Sequence, residues 1–312
     1  MQSKREIGRS GIFITPLMLG GNVFGWTADE QSSFRILDAY VDLGGDSIDT
    51  ADVYSAWVPG HEGGESERVI GAWLKQSGKR DKVVIGTKVG MLPKRIGIKR
   101  DNIVAACEDS LRRLGVETID LYWLHRDDEA SPADEYVAGL EHLQRAGKIR
   151  AFGASNFKPA RFAEGIAEAQ RRGLRFDAQQ PEYNLMNRDI EAELIPLCER
   201  EGVSLLPYYG LASGYLTGKY RTPGDKSKSV RGGRMDKYMD GKGPSVLAAM
   251  DAIAARTGAT WAQIALAWIM AKPAIAAPIA SATSVAQIAE LMGALQVTLS
   301  AEDISALDRA SA

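Results

Sequence analysis

Short apolar runs and longer stretches of helical period alternate along the chain. The runs are "PLMLG" (16–20), "SIDT" (47–50), "KVVIGTK" (82–88), "IDLYWLH" (119–125), "IRAFGAS" (149–155), "FDAQQ" (176–180), "VSLLPY" (203–208) and "AIAAPIAS" (274–281). Brief apolar runs bounded by turn residues read as buried strands. Between them, "SSFRILDAYVDLG" sets Phe34, Leu37, Tyr40 and Val41 on one helical face, and "RDNIVAACEDSLRRLG" does the same with Ile103, Cys107 and Leu111. Gly44-Gly45 and Gly115 close helical stretches, and Asp101 and Ser131-Pro132 open them. This repeated strand-then-helix order predicts an α/β fold, a (β/α)8 TIM barrel. An open doubly wound sheet usually has fewer strands and often a GxGxxG fingerprint, which this sequence lacks. "REIGRSGIFITP" reads as an N-terminal β-hairpin, and residues 209–243, rich in Gly, Lys and Arg, as a long loop after the seventh strand. No repeat or linker divides the chain, so residues 1–312 read as a single domain.

Composition narrows the picture. A chain of 312 residues, 45% hydrophobic, can fill one such barrel. The net charge of −2 gives no general pull toward nucleic acid or anionic membrane, although local basic patches can still bind phosphate. Cys107 and Cys198 are no disulfide framework, which points to a reducing compartment. The N-terminal segment is broken by Gly, Ser and Pro, unlike a signal peptide. "WAQIALAWIMA" is too short to span a bilayer. The expectation is a soluble cytoplasmic protein. His61, His125 and His142 lack ligand spacing, so no metal site is expected.

In a barrel of this kind the site lies at the C-terminal ends of the strands. The runs end there in polar residues: Asp49, with Tyr54 just beyond it, then Lys88, His125, Ser155-Asn156, Gln180, Tyr208 and Ser281. Each has a bland reading. Asp49 can cap the next segment, Lys88 can be an exposed strand-end charge, His125 a satisfied structural histidine, Ser155-Asn156 a turn, Gln180 a partner for buried backbone and Tyr208 a core residue. Independent accidents do not all choose the same end of consecutive strands, and the joint pattern favours a site. A phenol has a pKa of about 10, and a lysine beside it should lower that value. An aspartate keeps the lysine charged, and a histidine can hydrogen-bond a developing alkoxide. Such a set can protonate a carbonyl oxygen while a cofactor supplies hydride, since no side chain can. Asn and Gln amides suit a nicotinamide carboxamide, and a tyrosine face suits its ring.

These residues resemble the aldo-keto reductases over nearly the whole chain. "IDTADVY" with "GGESERVIGAWL", "VVIGTKVG", "LYWLHRDD", "AGKIRAFGASNF", "AQQPEYNL", "LLPYYGLASGYLTGKY" and "PIASATSVAQI" follow that family's motifs in order. The resemblance implies that Tyr54 is the general acid, that Lys88 and Asp49 tune it, and that His125 orients the carbonyl. It implies that Ser155, Asn156 and Gln180 hold the carboxamide and that Tyr208 stacks on the nicotinamide. Leu211, Ser213, Gly214, Leu216 and Lys219 would wrap the pyrophosphate, and Ser281, Thr283 and Gln287 would reach the adenosine end. Asn22 joins the cofactor set. The loop is no Walker A motif, because its glycine spacing differs and Tyr220 follows the lysine. Phe24, Trp26 and Trp57 would line an aromatic substrate pocket, with ordinary loop packing as the equal alternative. "YYGLASGYLTGKY" looks like the branch of sugar or xenobiotic carbonyl reductases, and a monomer is the family default.

Two departures stand out. Many members place Lys or Arg after the eighth strand to grip the 2′-phosphate of NADP, whereas "SATSVAQ" offers only hydroxyls and an amide. Arg221, Arg231 and Arg234 are the candidate substitutes; family habit favours NADP(H), and NAD(H) stays open. Gly210 stands where the family usually has Ser or Pro. Two other readings compete with a reductase: a Schiff-base lyase working through Lys88, and a slow or non-catalytic nucleotide sensor or channel-associated subunit on the same fold.

Overall fold

A computed structural model of the chain describes residues 3–228, 233 and 235–312. The chain opens with an antiparallel hairpin, β1 (Arg5–Glu6) and β2 (Phe13–Ile14). Units of strand and helix follow: β3 (Met18–Gly20) and α1 (Glu30–Asp42), β4 (Ser47–Asp49) and α2 (Glu65–Ser77), and β5 (Val84–Val89). A second small hairpin, β6 (Met91–Leu92) and β7 (Arg95–Ile96), precedes α3 (Arg100–Leu114). Next come β8 (Ile119–Leu124), α4 (Ala133–Arg145), β9 (Ile149–Ser155), α5 (Pro159–Arg171), β10 (Ala178–Gln180), α6 (Leu194–Glu201) and β11 (Ser204–Leu205). The chain ends through α7 (Asp236–Met239), α8 (Gly243–Thr257), α9 (Trp261–Met270), β12 (Ile279–Ala280), α10 (Val285–Met292) and α11 (Ala301–Ala310).

All eight runs expected as strands contribute to one sheet, ordered β11-β10-β9-β8-β5-β4-β3-β12, in which every pairing is parallel. The run 274–281 also closes the sheet. Its first half pairs with β11 through a parallel Leu205–Ile275 bridge, in which Leu205 N donates to Ala274 O at 2.7 Å and Ala276 N to Leu205 O at 2.9 Å. Its second half, β12, pairs with β3.

Strand alternation sorts the side chains into two cores. Ile48, Ile85, Val89, Tyr122, Leu124, Phe152 and Ala154 pack outward against the helices. Met18, Leu121, Trp123, Ala151, Ala178 and Ile279 point inward, joined by Ile7, Ile12 and Ile14 of the N-terminal hairpin, which plugs the bottom of the barrel. Gly153 marks one tight point. A Cβ there would lie 2.6 Å from both the Ala178 carbonyl oxygen and the Trp123 ring.

The helices match the patterning with small shifts. On α1 the buried line is Ser33, Ile36, Leu37 and Tyr40, so Phe34 and Val41 flank it half-buried; α3 buries Ile103, Cys107 and Leu111 as expected. Gly115 caps α3 in the left-handed conformation (φ 65°). Asp101 lies within the first turn of α3 rather than at its cap, which is Lys99, and Pro132 caps α4. The segment 209–243 is less loop-like than its composition suggests: it holds 3-10 turns at Ala212–Thr217 and Pro223–Lys228 as well as α7. Both cysteines are free and buried, and no described helix is long and apolar enough to cross a membrane.

Candidate active site

The alternation that sorts the core also builds the site. Two residues beyond an inward position lies the next inward position. After Ser47 comes Asp49, after Gly86 Lys88, after Trp123 His125, after Gly153 Ser155, after Ala178 Gln180 and after Ile279 Ser281. These residues crown the interior layer at the C-terminal rim, so the expected strand-end residues converge.

Lys88 is the hub. It is fully buried, and its ammonium donates to Asp49 Oδ2 at 2.5 Å, to the Thr50 carbonyl at 2.8 Å and to Tyr54 Oη at 2.9 Å. All three N–H groups of the ammonium thus have acceptors. Gln180 Nε2 donates to Asp49 Oδ1 at 3.0 Å, so the carboxylate is bonded on both oxygens. The His125 ring lies 6.0 Å from the Tyr54 ring, nearly edge-on at 74°. Its main chain is fixed by its own N–H donating to the Val89 carbonyl and by Asn156 Nδ2 donating to its carbonyl.

Burial and charge oppose each other here. Desolvation works against the Lys88 ammonium, but Asp49 and the Tyr54 oxygen outweigh it and the pKa lies above the ordinary lysine value. Asp49 is pushed up by burial and held back by Lys88 and Gln180. Burial raises the Tyr54 phenol, Lys88 lowers it and Asp49 raises it; the net direction is upward. This corrects the expectation that Lys88 brings the phenol below its ordinary value: stripping a phenolate of water outweighs one ammonium already shared with a carboxylate. The phenol therefore keeps its proton at neutral pH. Burial, Lys88 and Arg126 hold His125 well below the ordinary histidine value. A neutral imidazole results, able to donate one hydrogen bond.

The residues expected to hold a cofactor line one side of this cluster. Ser155 Oγ donates to the Gln180 carbonyl at 2.8 Å, Asn156 Nδ2 to Ser155 Oγ at 3.0 Å, and Tyr208 Oη to Asn156 Oδ1 at 2.7 Å. Asn156 adopts a left-handed backbone (φ 59°). Beyond Tyr208 the chain turns through positive φ at Tyr209, Ala212, Ser213 and Gly214. Successive turns of this kind aim backbone N–H groups at an anion. Leu211, Ser213 and Gly214 lie on this turn and Lys219 is exposed just after it, but the Leu216 side chain is buried in the core. The Leu216 backbone N–H donates to the Leu211 carbonyl at 3.2 Å. Across the mouth, Ser281 Oγ donates to Asn22 Oδ1 at 2.5 Å. Thr283 N and Oγ1 both donate to Gln287 Oε1, and Ser284 caps α10 by accepting from Gln287 N. The Ser-x-x-Gln spacing at 284–287 was a legible cap signal. The donor set, the anion-suited turn and the helix start fit an extended dinucleotide.

The aromatic rim divides. Trp26 and Trp57 are exposed and pack edge-on at 5.5 Å, with Trp57 5.9 Å from Tyr54. Phe24 is fully buried in the outer core and leaves the expected substrate wall. Tyr209, which the sequence reading passed over, is exposed at the mouth with its ring 5.0 Å from Tyr208. Arg221 makes a bidentate pair with Asp251 at 2.8 and 2.7 Å and lies over the Trp261 ring; Arg231 and Arg234 fall outside the described residues. Among the described residues no group of histidine, cysteine and acidic side chains is arranged to hold a metal.

A family model described as the aldo/keto reductase family matches residues 16–312. The chain is 33% identical to an uncharacterized oxidoreductase, YrpG, of Bacillus subtilis, over 97% of this chain and 94% of that protein. It is 29% identical to an aryl-alcohol dehydrogenase [NADP(+)] of Phanerodontia chrysosporium, over 96% of this chain and 83% of that protein. It is also 31% identical to a probable voltage-gated potassium channel subunit beta of Arabidopsis thaliana, over 94% of this chain and 91% of that protein.

Proposed function

Because this chain belongs to the aldo/keto reductase family, we propose that it reduces aldehydes and ketones to alcohols, reversibly, using NADP(H). One observation carries the reading: a single buried lysine bonds both Asp49 and the Tyr54 hydroxyl at the rim, beside a neutral histidine. A bound nicotinamide nucleotide supplies the hydride. Ser155, Asn156 and Gln180 would hold its carboxamide, Tyr208 its ring face, the 211–214 turn and Lys219 its pyrophosphate, and Asn22, Ser281, Thr283 and Gln287 its adenosine end.

The chain's own residues handle the proton. Tyr54 Oη carries it to the carbonyl oxygen as that oxygen gains charge, acting as general acid. The Lys88 ammonium stabilises the phenolate left behind, and Asp49 keeps the ammonium charged and aimed. His125, neutral, donates a hydrogen bond to the same oxygen and orients the carbonyl. Trp26 and Trp57 would shelter the apolar part of the substrate, which suits aryl aldehydes. The aryl-alcohol dehydrogenase name of one relative supports that direction.

Tyr54→Phe tests this. The variant should bind NADPH within about threefold of the parent and lose about two to four orders of magnitude in kcat for an aromatic aldehyde. Parent-like turnover would remove Tyr54 from the acid role. A lyase through Lys88 is disfavoured, because its three N–H groups are engaged and its lone pair is blocked by the proton. The channel-subunit name of another relative motivates a cofactor-sensing reading. In that case the parent would bind NADPH yet turn over slowly with every carbonyl of a broad panel.

A further inference from the structure

Two carboxyl groups that this reaction does not use lie buried behind the catalytic loop. Glu67 on α2 is fully buried and satisfied: Thr87 Oγ1 donates to one oxygen at 2.5 Å and Arg113 Nε to the other at 2.5 Å. Arg113 also donates to Ser110 Oγ. Asp52 differs. It is 1% exposed, and among the described residues neither carboxyl oxygen meets a side-chain donor; only the adjacent Val53 backbone N–H acts on it. The groups facing it are Glu67 from α2, Arg113 from α3, Lys88 from β5 and Tyr122 from β8, with Cys107 of α3 beside Tyr122. One guanidinium thus serves two acids, and Arg113 Nε donates to Glu67 rather than to Asp52. A carboxylate with no side-chain donor is strongly disfavoured in a dry interior, and a neighbouring carboxylate disfavours it further. The proton therefore falls to Asp52, whose pKa burial and Glu67 push up to about 8.

Asp52 is also tied to the reacting groups. It lies between Asp49 and Tyr54, and its backbone N–H donates to the carbonyl of Lys88 at 3.2 Å, while Lys88 Nζ reaches back to Thr50 O at 2.8 Å. We propose that Asp52 is a positioning residue that works as a buried neutral acid, keeping a second negative charge away from Lys88 and Tyr54, and that its ionisation slows carbonyl reduction. The inference rests on the reductase reading. During reduction the substrate oxygen gains negative charge and Tyr54 gives up its proton; an added negative charge nearby opposes both. The sign follows: as pH rises through the Asp52 pKa the residue passes from neutral to anionic, so the rate falls on the alkaline side.

The test uses the full chain in two arms. Infrared titration without substrate should find a protonated-carboxyl C=O band at about pH 6.5 that disappears near pH 8, and Asp52→Asn should lack it. In the rate arm, the parent's kcat with NADPH should fall about five- to tenfold between about pH 6.5 and about pH 9.5, a step missing from Asp52→Asn when each protein is normalised to its own value at the lower pH. Glu67→Gln, which removes the neighbouring charge and releases Arg113, should move both transitions to lower pH; it serves also if Asp52→Asn fails to fold. A parent without the protonated band, identical alkaline limbs in parent and Asp52→Asn, or unmoved midpoints in Glu67→Gln would each overturn the proposal. A band that behaves as expected in a protein that reduces no carbonyl would sink the reductase reading and the rate claim built on it, while leaving the neutral Asp52 standing.

Discussion

Lys88 owes its burial to its partners. An ammonium at 0% exposure is tolerable only because Asp49, the Thr50 carbonyl and Tyr54 replace its hydration. Removing it strands Asp49, which keeps only the Gln180 amide. Lys88→Met should therefore lower unfolding stability by about 3–5 kcal/mol at neutral pH. The loss should shrink toward acid, because Asp49 without its cation takes up a proton there and stops being an unpaired buried charge. Urea denaturation at two pH values checks this, and Asp49→Asn in the same background should restore much of the loss. A pH-independent deficit would mean that the methionine's packing, not the stranded carboxylate, is responsible. This pair was legible in the sequence, since both residues end apolar runs at inward positions. The direction of the Tyr54 pKa was not legible, because burial of the phenol is a tertiary property. Phe24 takes the loop-packing alternative for a related reason: a position in a motif does not say which way a side chain turns once the loop packs.

At the scale of elements, the strands were read well because each lies in an apolar run bounded by turn residues; β11 is only two residues long, yet the run 203–208 announced it. The β6–β7 hairpin escaped notice, since two-residue strands carry no measurable period. The turns within 209–243 escaped as well, because their conformations at Tyr209, Ala212 and Ser213 are left-handed at non-glycine residues, which propensity argues against. One tight element contact is between β9 and its neighbours. Gly153→Ala would press a methyl against the Ala178 carbonyl oxygen and the Trp123 ring. Backbone cannot yield there without shifting Gln180, and Trp123 lies one inward step below His125. The substitution should cost about 1–3 kcal/mol and lower kcat more than it weakens NADPH binding. Wild-type stability by thermal melting would show that β9 and β10 have more slack than their spacing suggests.

Over the whole molecule, the eight-strand count and the order of the motifs were enough to predict the barrel, but not the way it closes. That depends on one run serving two neighbours, with Ile275 bridging to Leu205 and β12 pairing with β3. Closure brings the 211–214 turn, after β11, to the same rim as the start of α10, after β12, so both ends of the proposed dinucleotide would meet one surface. The chain's net charge of −2 offers no steering toward such an anion, so preference between cofactors must be local. At 281–287 the sequence has hydroxyls and an amide but no cation, and Arg221 is already balanced by Asp251. Neutral donors around a 2′-phosphate should give a modest advantage, so NADPH should bind tighter than NADH by about tenfold or less, equivalent to about 1.4 kcal/mol. The ratio should change little with added salt, because no ion pair is there to be screened. Fluorescence titration of both nucleotides at low and high ionic strength reads both quantities. Equal affinities would remove the NADP(H) assignment. A preference above about a hundredfold that collapses in salt would instead mean that Arg221, Arg231 or Arg234 swings onto the phosphate, and replacing each by alanine would identify the one that does.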